Sequence, residues 1–304
     1  MTTASGAGPG ALALGAFAVA LDAATPEQAM LDACRSLEQR VVAAGWPADL
    51  ASYVRAFGIR VFEAPIEQAG RLDYEDGGYV IRVKSAQGQQ VTLDPAHARG
   101  RQRFSIAHEL GHALLLAHLA NEPAVLAALQ DPETWARVEQ LCDRAAAELL
   151  VPMPSFLDRL TGAGISPTSV DRLANEFAVS REVILRRFLD AGARAVVLWT
   201  ARPRTGKASV REAFSGPDGP YFGLGVDSRC LQPNIVLRAV RAGRARSAKV
   251  TIRRGVARWT VAGAAGAADA QVLLLVLPHD APEQAHPLWQ ASAGRSKEAP
   301  SLPP

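Results

Sequence analysis

The stretch from Arg101 to Leu119 limits this chain more than any other part of it. It contains no proline, its apolar residues fall on one side, and it carries His108-Glu109-Leu110-Gly111-His112 at its centre. On a helix, residues four apart share a face. His108 and His112 therefore aim both imidazoles at one point, where a single metal ion can bind. Glu109 sits about a quarter turn away, where a carboxylate reaches a water on the metal without ligating the metal itself. The metal brings that water's pKa toward about 7, and the carboxylate takes its proton as the water attacks a peptide carbonyl.

A catalytic site of this kind needs a third protein ligand and an open position. His118 lies six residues beyond His112, on another face of the same helix, and reads as a partly exposed surface residue. The third ligand is therefore expected to be a carboxylate on the helix that the pattern predicts from about Pro132 to Leu150. That helix offers Glu133, Glu139, Asp143 and Glu148. Glu139 and Asp143 are four apart and share a face, which suits Glu139 on the metal and Asp143 behind a ligand imidazole. Glu148 falls on the opposite side. The spacing alone leaves Glu139 equally readable as a solvated helix charge.

Around this centre the chain divides by pattern. Residues 1–25, rich in Ala, Gly and Thr, read as a flexible leader; no basic residue precedes Arg35, so a secretory signal is not expected. Apolar spacing of three and four from Met30 to Val42 predicts a helix, and Leu50 to Phe57 a second short one. The period then changes to two at Ile59, Val61 and Phe62 and again across Tyr79–Lys84, after the Asp76-Gly77-Gly78 turn signal. A hairpin or small antiparallel sheet is expected there. A helical pair with a break at Ala178-Val179-Ser180 follows over Ser169–Gly192 and has helix-turn-helix form. From Ala195 strands dominate: Ala195–Thr200, Phe222–Val226, Ile235–Val240, Lys249–Ile252, Arg258–Val261 and Gln271–Leu277. The boundary is expected near residue 193, and the tail from His286 reads as disordered.

The stretch Arg103-Phe104-Ser105-Ile106-Ala107-His108-Glu109-Leu110-Gly111-His112-Ala113-Leu114 resembles the ImmA/IrrE metallopeptidase family. So does Glu139-Gln140-Leu141-Cys142-Asp143-Arg144-Ala145-Ala146-Ala147-Glu148-Leu149-Leu150-Val151-Pro152, although Cys142-Asp143 stands where the family pattern has Ala-Asn. An Asp there also looks like the Glu-xxx-Asp helix of thermolysin-like zincins. The resemblance covers about residues 30–190, and the region beyond 193 is loosely similar to the GAF-like domain of the IrrE branch.

This resemblance implies an α+β protein: a zincin-like metallopeptidase domain over 26–160, a helix-turn-helix-like segment over 161–192, a mainly β or α/β GAF-like sensor domain over 193–285, and a disordered tail over 286–304. It implies Glu139 as third ligand, Zn2+ as the metal (Mn2+ or another divalent ion as alternatives), and a protein substrate, a helix-turn-helix repressor, cut in a stress or mobile-element response. It also implies that Tyr79–Lys84 is the edge strand above the helix, so that an extended substrate pairs along Tyr79, Ile81 and Val83. Tyr74, Tyr79 and His97 stand as alternatives for the donor that stabilises the transition state.

Other features bear on partners. Arg181, Arg186 and Arg187 on the second helix of the pair would meet phosphates or guanine edges if that pair reads DNA; packing against the rest of the protein is the alternative. Arg238, Arg241, Arg244, Arg246, Lys249, Arg253, Arg254 and Arg258 form a run without an acid, readable as an anion-binding surface or a solvated face. A small-molecule signal could act through the C-terminal domain. Net charge is only +3, so basic character is local rather than global. The cysteines Cys34, Cys142 and Cys230 lie far apart, which excludes a disulfide framework and fits a cytoplasmic setting. No apolar run reaches the roughly 20 residues of a membrane helix. The competing reading is a DNA-binding or ligand-sensing regulator with a vestigial peptidase fold, against which the intact Glu109 argues.

Overall fold

The computed structural model describes residues 9–84, 95–119, 127–129, 131–163, 165–193, 195–202, 207–215, 246–252, 255–262, 270–277 and 288. The chain forms two compact units, Met1–Pro152 and Met153–Pro304.

The first unit contains helices α1 (Pro9–Ala20), α2 (Pro26–Ala43), α3 (Leu50–Ala56), α4 (Pro95–His118) and α5 (Pro132–Leu150), with strands β1 (Arg60–Ala64), β2 (Gly70–Glu75) and β3 (Gly78–Lys84). Side-chain caps set several helix starts: Thr25 for α2, Asp49 for α3 and Asp131 for α5 each accept a backbone N–H of the first turn. Proline at the first position of α2 and α5 adds a preset φ where no N–H is needed. Leu37, Met30, Ile81, Leu110, Leu114 and Phe17 are fully buried and form the centre of the core.

The leader reading of residues 1–25 is corrected in part. Residues 9–20 form α1, whose Ala13, Leu14, Phe17 and Ala18 are buried in that core. Their three- and four-residue spacing makes one apolar face, and an uncharged helix needs only that face to dock. Gly10 lies so close to Thr134 of α5 that a Cβ would collide with it.

The small sheet is mixed rather than antiparallel, in the order β1-β3-β2. β1 runs parallel to β3, with Val61 opposite Ile81, and β2 runs antiparallel to it, with Leu72 opposite Ile81. Asp76 and Gly77, both with positive φ (52° and 80°), close the β2–β3 hairpin. The expectation that Tyr79–Lys84 is an edge strand is therefore overturned: β3 is central, and both its backbone edges are occupied. Its run of β-branched residues suits that position, with Val80, Ile81 and Val83 all buried. Among the described residues, β2 is an edge strand.

The second unit holds α6 (Met153–Ala163), α7 (Pro167–Phe177) and α8 (Arg181–Asp190), followed by β4 (Ala195–Arg202), β5 (Lys207–Ser215), β6 (Arg246–Ile252), β7 (Gly255–Ala262) and β8 (Ala270–Leu277). The five strands form one antiparallel sheet in the order β5-β4-β8-β7-β6. A reciprocal Ser166–Ser169 cap starts α7, and Ala178 in the left-handed region ends it. The compact-unit boundary falls after Pro152, not near 193, because α7 and α8 pack on these strands. β5 was not anticipated from the sequence. The runs Phe222–Val226 and Ile235–Val240, Cys230, the basic residues at 238, 241, 244, 253 and 254, and the tail at 286 and 289–304 lie outside the described residues.

The three arginines expected to face DNA are engaged within this unit. Arg187 is 1% exposed and donates to Asp190 at 2.9 Å. That burial removes it from any DNA-facing surface. Arg181 pairs with Asp171, and Arg186 with Glu182 at 3.1 Å.

Candidate metal centre

Gly111 decides how closely α4 and α5 approach. A Cβ at that position would meet the Cα of Cys142 and the Cβ of Ala145, each at 3.1 Å. The bare glycine lets the two backbones come together next to His112 and about one turn from His108. Cys142 and Ala145 are fully buried in the contact, and Glu139 and Asp143 beside them are brought against the two histidines.

The resulting distances are short and mutually consistent. His108 Nε2 lies 3.2 Å from His112 Nε2 and 3.2 Å from Glu139 Oε2, and His112 Nε2 lies 3.3 Å from Glu139 Oε1. His108 Nδ1 lies 3.0 Å from Asp143 Oδ1, placed to donate to that carboxylate, an arrangement that in the neutral ring keeps Nε2 for a metal. Tetrahedral Zn2+ with nitrogen and oxygen ligands has ligand–ligand edges of about 3.3–3.5 Å. The triangle of His108, His112 and Glu139 fits that size. Its donor set fits as well: two imidazole nitrogens and a carboxylate crowded into a few ångströms favour a cation between them.

Electrostatics follow the same pattern. Burial disfavours a charged His108, but the Asp143 hydrogen bond and the charges of Glu139, Asp143 and Glu109 outweigh it and raise the pKa. Burial, with His108 next to it, pushes His112 down to about 4, so this ring is neutral. Burial raises the pKa of Glu109, against the opposing pull of His108 and a hydrogen bond from the Leu72 backbone. Glu109 is 8% exposed and does not belong to the ligand triangle.

A cleft of about 630 Å³ opens over this point. One wall is the β2 edge and the residues leading into it, 68–72. Gly70 allows the strand to press on α4: a Cβ there would sit 3.0 Å from Glu109 Oε1. The opposite end is apolar, formed by Leu115, Leu116, Leu129, Trp135 and Val138.

Of the residues singled out from the sequence, His108, Glu109, His112, Glu139 and Asp143 come together here. Tyr79, Ile81 and Val83 do not: Ile81 and Val83 are in the core, and Tyr79 packs between Phe57 and Tyr74. None of the three lines the cleft. Glu148 is buried on the other side of α5, where its charge acts on Tyr53. His118 turns away from the site, with its ring against Phe17 and Nδ1 donating to the Leu114 carbonyl at 2.8 Å. His97 lies in the first turn of α4. Trp135 was missed by the sequence reading. Its ring stacks on His112 with centroids 5.4 Å apart and planes 13° from parallel. The signal was present, because Trp135, Glu139 and Asp143 recur every four residues and form one stripe on α5.

Comparison with known proteins agrees with this geometry. Residues 54–189 match the Peptidase_M78 family model, the IrrE N-terminal-like domain. The radiation response metalloprotease IrrE of Deinococcus radiodurans is 29% identical over 154 residues, 49% of this chain and 44% of that protein. Its counterpart from Deinococcus deserti is 36% identical over 101 residues, 32% of this chain and 34% of that protein. The similarity thus spans less than half the length of either curated relative. A Mycobacterium tuberculosis transcriptional regulator of solved structure aligns over 81% of this chain and 76% of its own, with a TM-score of 0.44 and 18% identity. The matched domain holds α4 and α5 with all five converging residues, so the similarity to the IrrE N-terminal-like domain covers the whole candidate centre.

Proposed function

We propose that this protein is a metal-dependent endopeptidase that cuts one specific protein target, with Zn2+ held by His108, His112 and Glu139. The observation that carries the reading is the His108–His112–Glu139 triangle with edges of 3.2–3.3 Å beside a separate buried carboxylate, Glu109. Held by these three residues, a divalent cation would supply the polarisation of a water and a peptide carbonyl. Glu109 takes a proton at its carboxylate and returns it to the leaving amine. Its position under β2, with the Leu72 backbone bonded to it, keeps it oriented and largely shielded from solvent. Asp143 fixes the tautomer and ring direction of His108.

An extended substrate pairs with β2 rather than β3, since among the described residues β2 is the edge strand that lines the cleft. The family resemblance supports a helix-turn-helix repressor as the target. In the second unit, the loose similarity of the region beyond 193 to a GAF-like domain supports a signal-sensing role.

The test is to mix the purified protein and Zn2+ or Mn2+ with a repressor encoded beside it, then analyse the products by mass spectrometry. Cleavage at one site by the wild type and none by Glu109→Gln is the expected result. If Glu109→Gln cells behave as wild type while a deletion does not, proteolysis is not the function, and the regulator reading replaces it.

A further inference from the structure

The two histidines are supported in different ways. His108 has its Nδ1 tied to Asp143 at 3.0 Å. Among the described residues, no hydrogen bond reaches the Nδ1 of His112; its Nε2 alone makes polar contacts, with His108 and Glu139. An imidazole with a free Nδ1 has a broad χ2, so its ring plane is poorly defined by its own torsions. Trp135 supplies the missing constraint, lying nearly parallel to the ring at 13°.

We propose that Trp135 is the positioning residue of His112: its indole, stacked on the imidazole, holds the ring plane so that Nε2 aims at Glu139 and His108. Asp143 does the corresponding work for His108 with a hydrogen bond. Along α5 the stripe Trp135, Glu139, Asp143 therefore meets the α4 pair His112, His108 in antiparallel order. The stack orients the second histidine, Glu139 lies against both, and the hydrogen bond orients the first.

The backbone under Trp135 is itself held in place. Trp135 lies in the first turn of α5, where the Asp131 carboxylate accepts from both the N–H of Thr134 (3.1 Å) and its hydroxyl (3.0 Å). Thr134 is buried against Gly10 of α1. The indole is nevertheless 45% exposed, an unusual position for so large an apolar ring. A tryptophan selected only for the core would have no reason to lie at the mouth of the cleft with one face on a candidate ligand.

This inference rests on the reading of His108, His112 and Glu139 as a metal site, so its test includes a control for that reading. Zn2+ affinity of the full chain is measured by chelator competition for wild type, Trp135→Ala, Trp135→Phe and the His108→Ala/His112→Ala double variant. Thermal unfolding is recorded on each metal-free protein. Trp135→Ala is expected to weaken Zn2+ binding about ten-fold, the low end of losses from residues that orient ligands, with Trp135→Phe recovering most of it. The metal-free melting points should stay close together. Addition of Co2+, a paramagnetic quencher, should lower tryptophan emission in the wild type, less so in Trp135→Phe, and not at all in the double variant.

Unchanged affinity in Trp135→Ala overturns the inference. So does a Trp135→Phe variant as weak as Trp135→Ala, or a loss of affinity matched by a collapse of metal-free stability. A double variant that binds Zn2+ like the wild type overturns the metal-site reading instead.

Discussion

Two helix pairs in this protein carry closely spaced charged and polar groups, and they use them in opposite ways. In the second unit, α7 and α8 match each arginine with an acid: Arg181 with Asp171, Arg186 with Glu182, and buried Arg187 with Asp190. Charges of both signs are present, and the set is balanced within itself. In the first unit, α4 and α5 bring together His108, His112, Glu139, Asp143 and Glu109, with no lysine or arginine among them. That set is made of lone pairs and negative charge, a donor set that suits a cation. A balanced cluster is a packing device; an unbalanced one, built into a cleft, is a binding site.

Removing the donors should have the largest effect. His108→Ala/His112→Ala is expected to abolish stoichiometric metal binding, read by elemental analysis of the dialysed protein. Unchanged metal content would show that the α4–α5 cluster needs no cation and would erase the contrast with α7–α8. Next in size is Glu109→Gln, which keeps the metal and the fold but should lower cleavage by about 10²–10⁴-fold, since an amide cannot act as a base. Full metal content with lost turnover would separate the general base from the ligands.

Asp143→Ala should weaken metal affinity by about 10–100-fold without emptying the site. A folded, metal-free Asp143→Ala protein would move Asp143 into the ligand set. Gly111→Ala tests the approach of the helices. The added methyl meets the Cys142 backbone at 3.1 Å, which cannot yield as a flexible side chain would. The expected outcome is a loss of about 1–3 kcal/mol in denaturant-measured stability, as overpacking costs, with weakened metal binding beside it.

The smallest effect sharpens the other half of the comparison. Arg186→Ala breaks a half-exposed pair with Glu182 one helical turn away. Such pairs contribute about 0.3–0.5 kcal/mol. Loss of that pair should move stability by about that much, and metal affinity should be unaffected. A larger change in either would mean that Arg186 has a role beyond local pairing.

Local periodicity made the helices of the first unit legible. The four-residue spacing of His108 and His112 places them on one face whatever else the chain does, and the same rule picked out Glu139 and Asp143 on α5. The proline-capped starts and the turn at Asp76-Gly77 were readable for the same reason, since each depends on a few consecutive residues. α1 was misread because its Ala-rich stretch resembles a loose leader until one asks whether a core face lies within reach of it.

Strand order was beyond that kind of reading. Val80, Ile81 and Val83 predict a strand, but a strand's neighbours are chosen by register and connection rather than by its own residues. Only the folded chain shows β1 parallel on one side and β2 antiparallel on the other, which takes Tyr79, Ile81 and Val83 off the sheet edge and leaves β2 as the edge strand beside the cleft. Arg187 makes the same point in the second unit: its position on the helix is readable, while its burial depends on what packs against it.

By itself, the sequence determined which chemical groups share a helix face, because helical geometry repeats every few residues and needs no distant partner. The tertiary structure decided which faces meet. The close approach at Gly111, the placement of β2 beside Glu109, and the indole of Trp135 on His112 each join residues far apart in the chain. Contacts of that range arise from packing the whole core at once, so no local pattern encodes them.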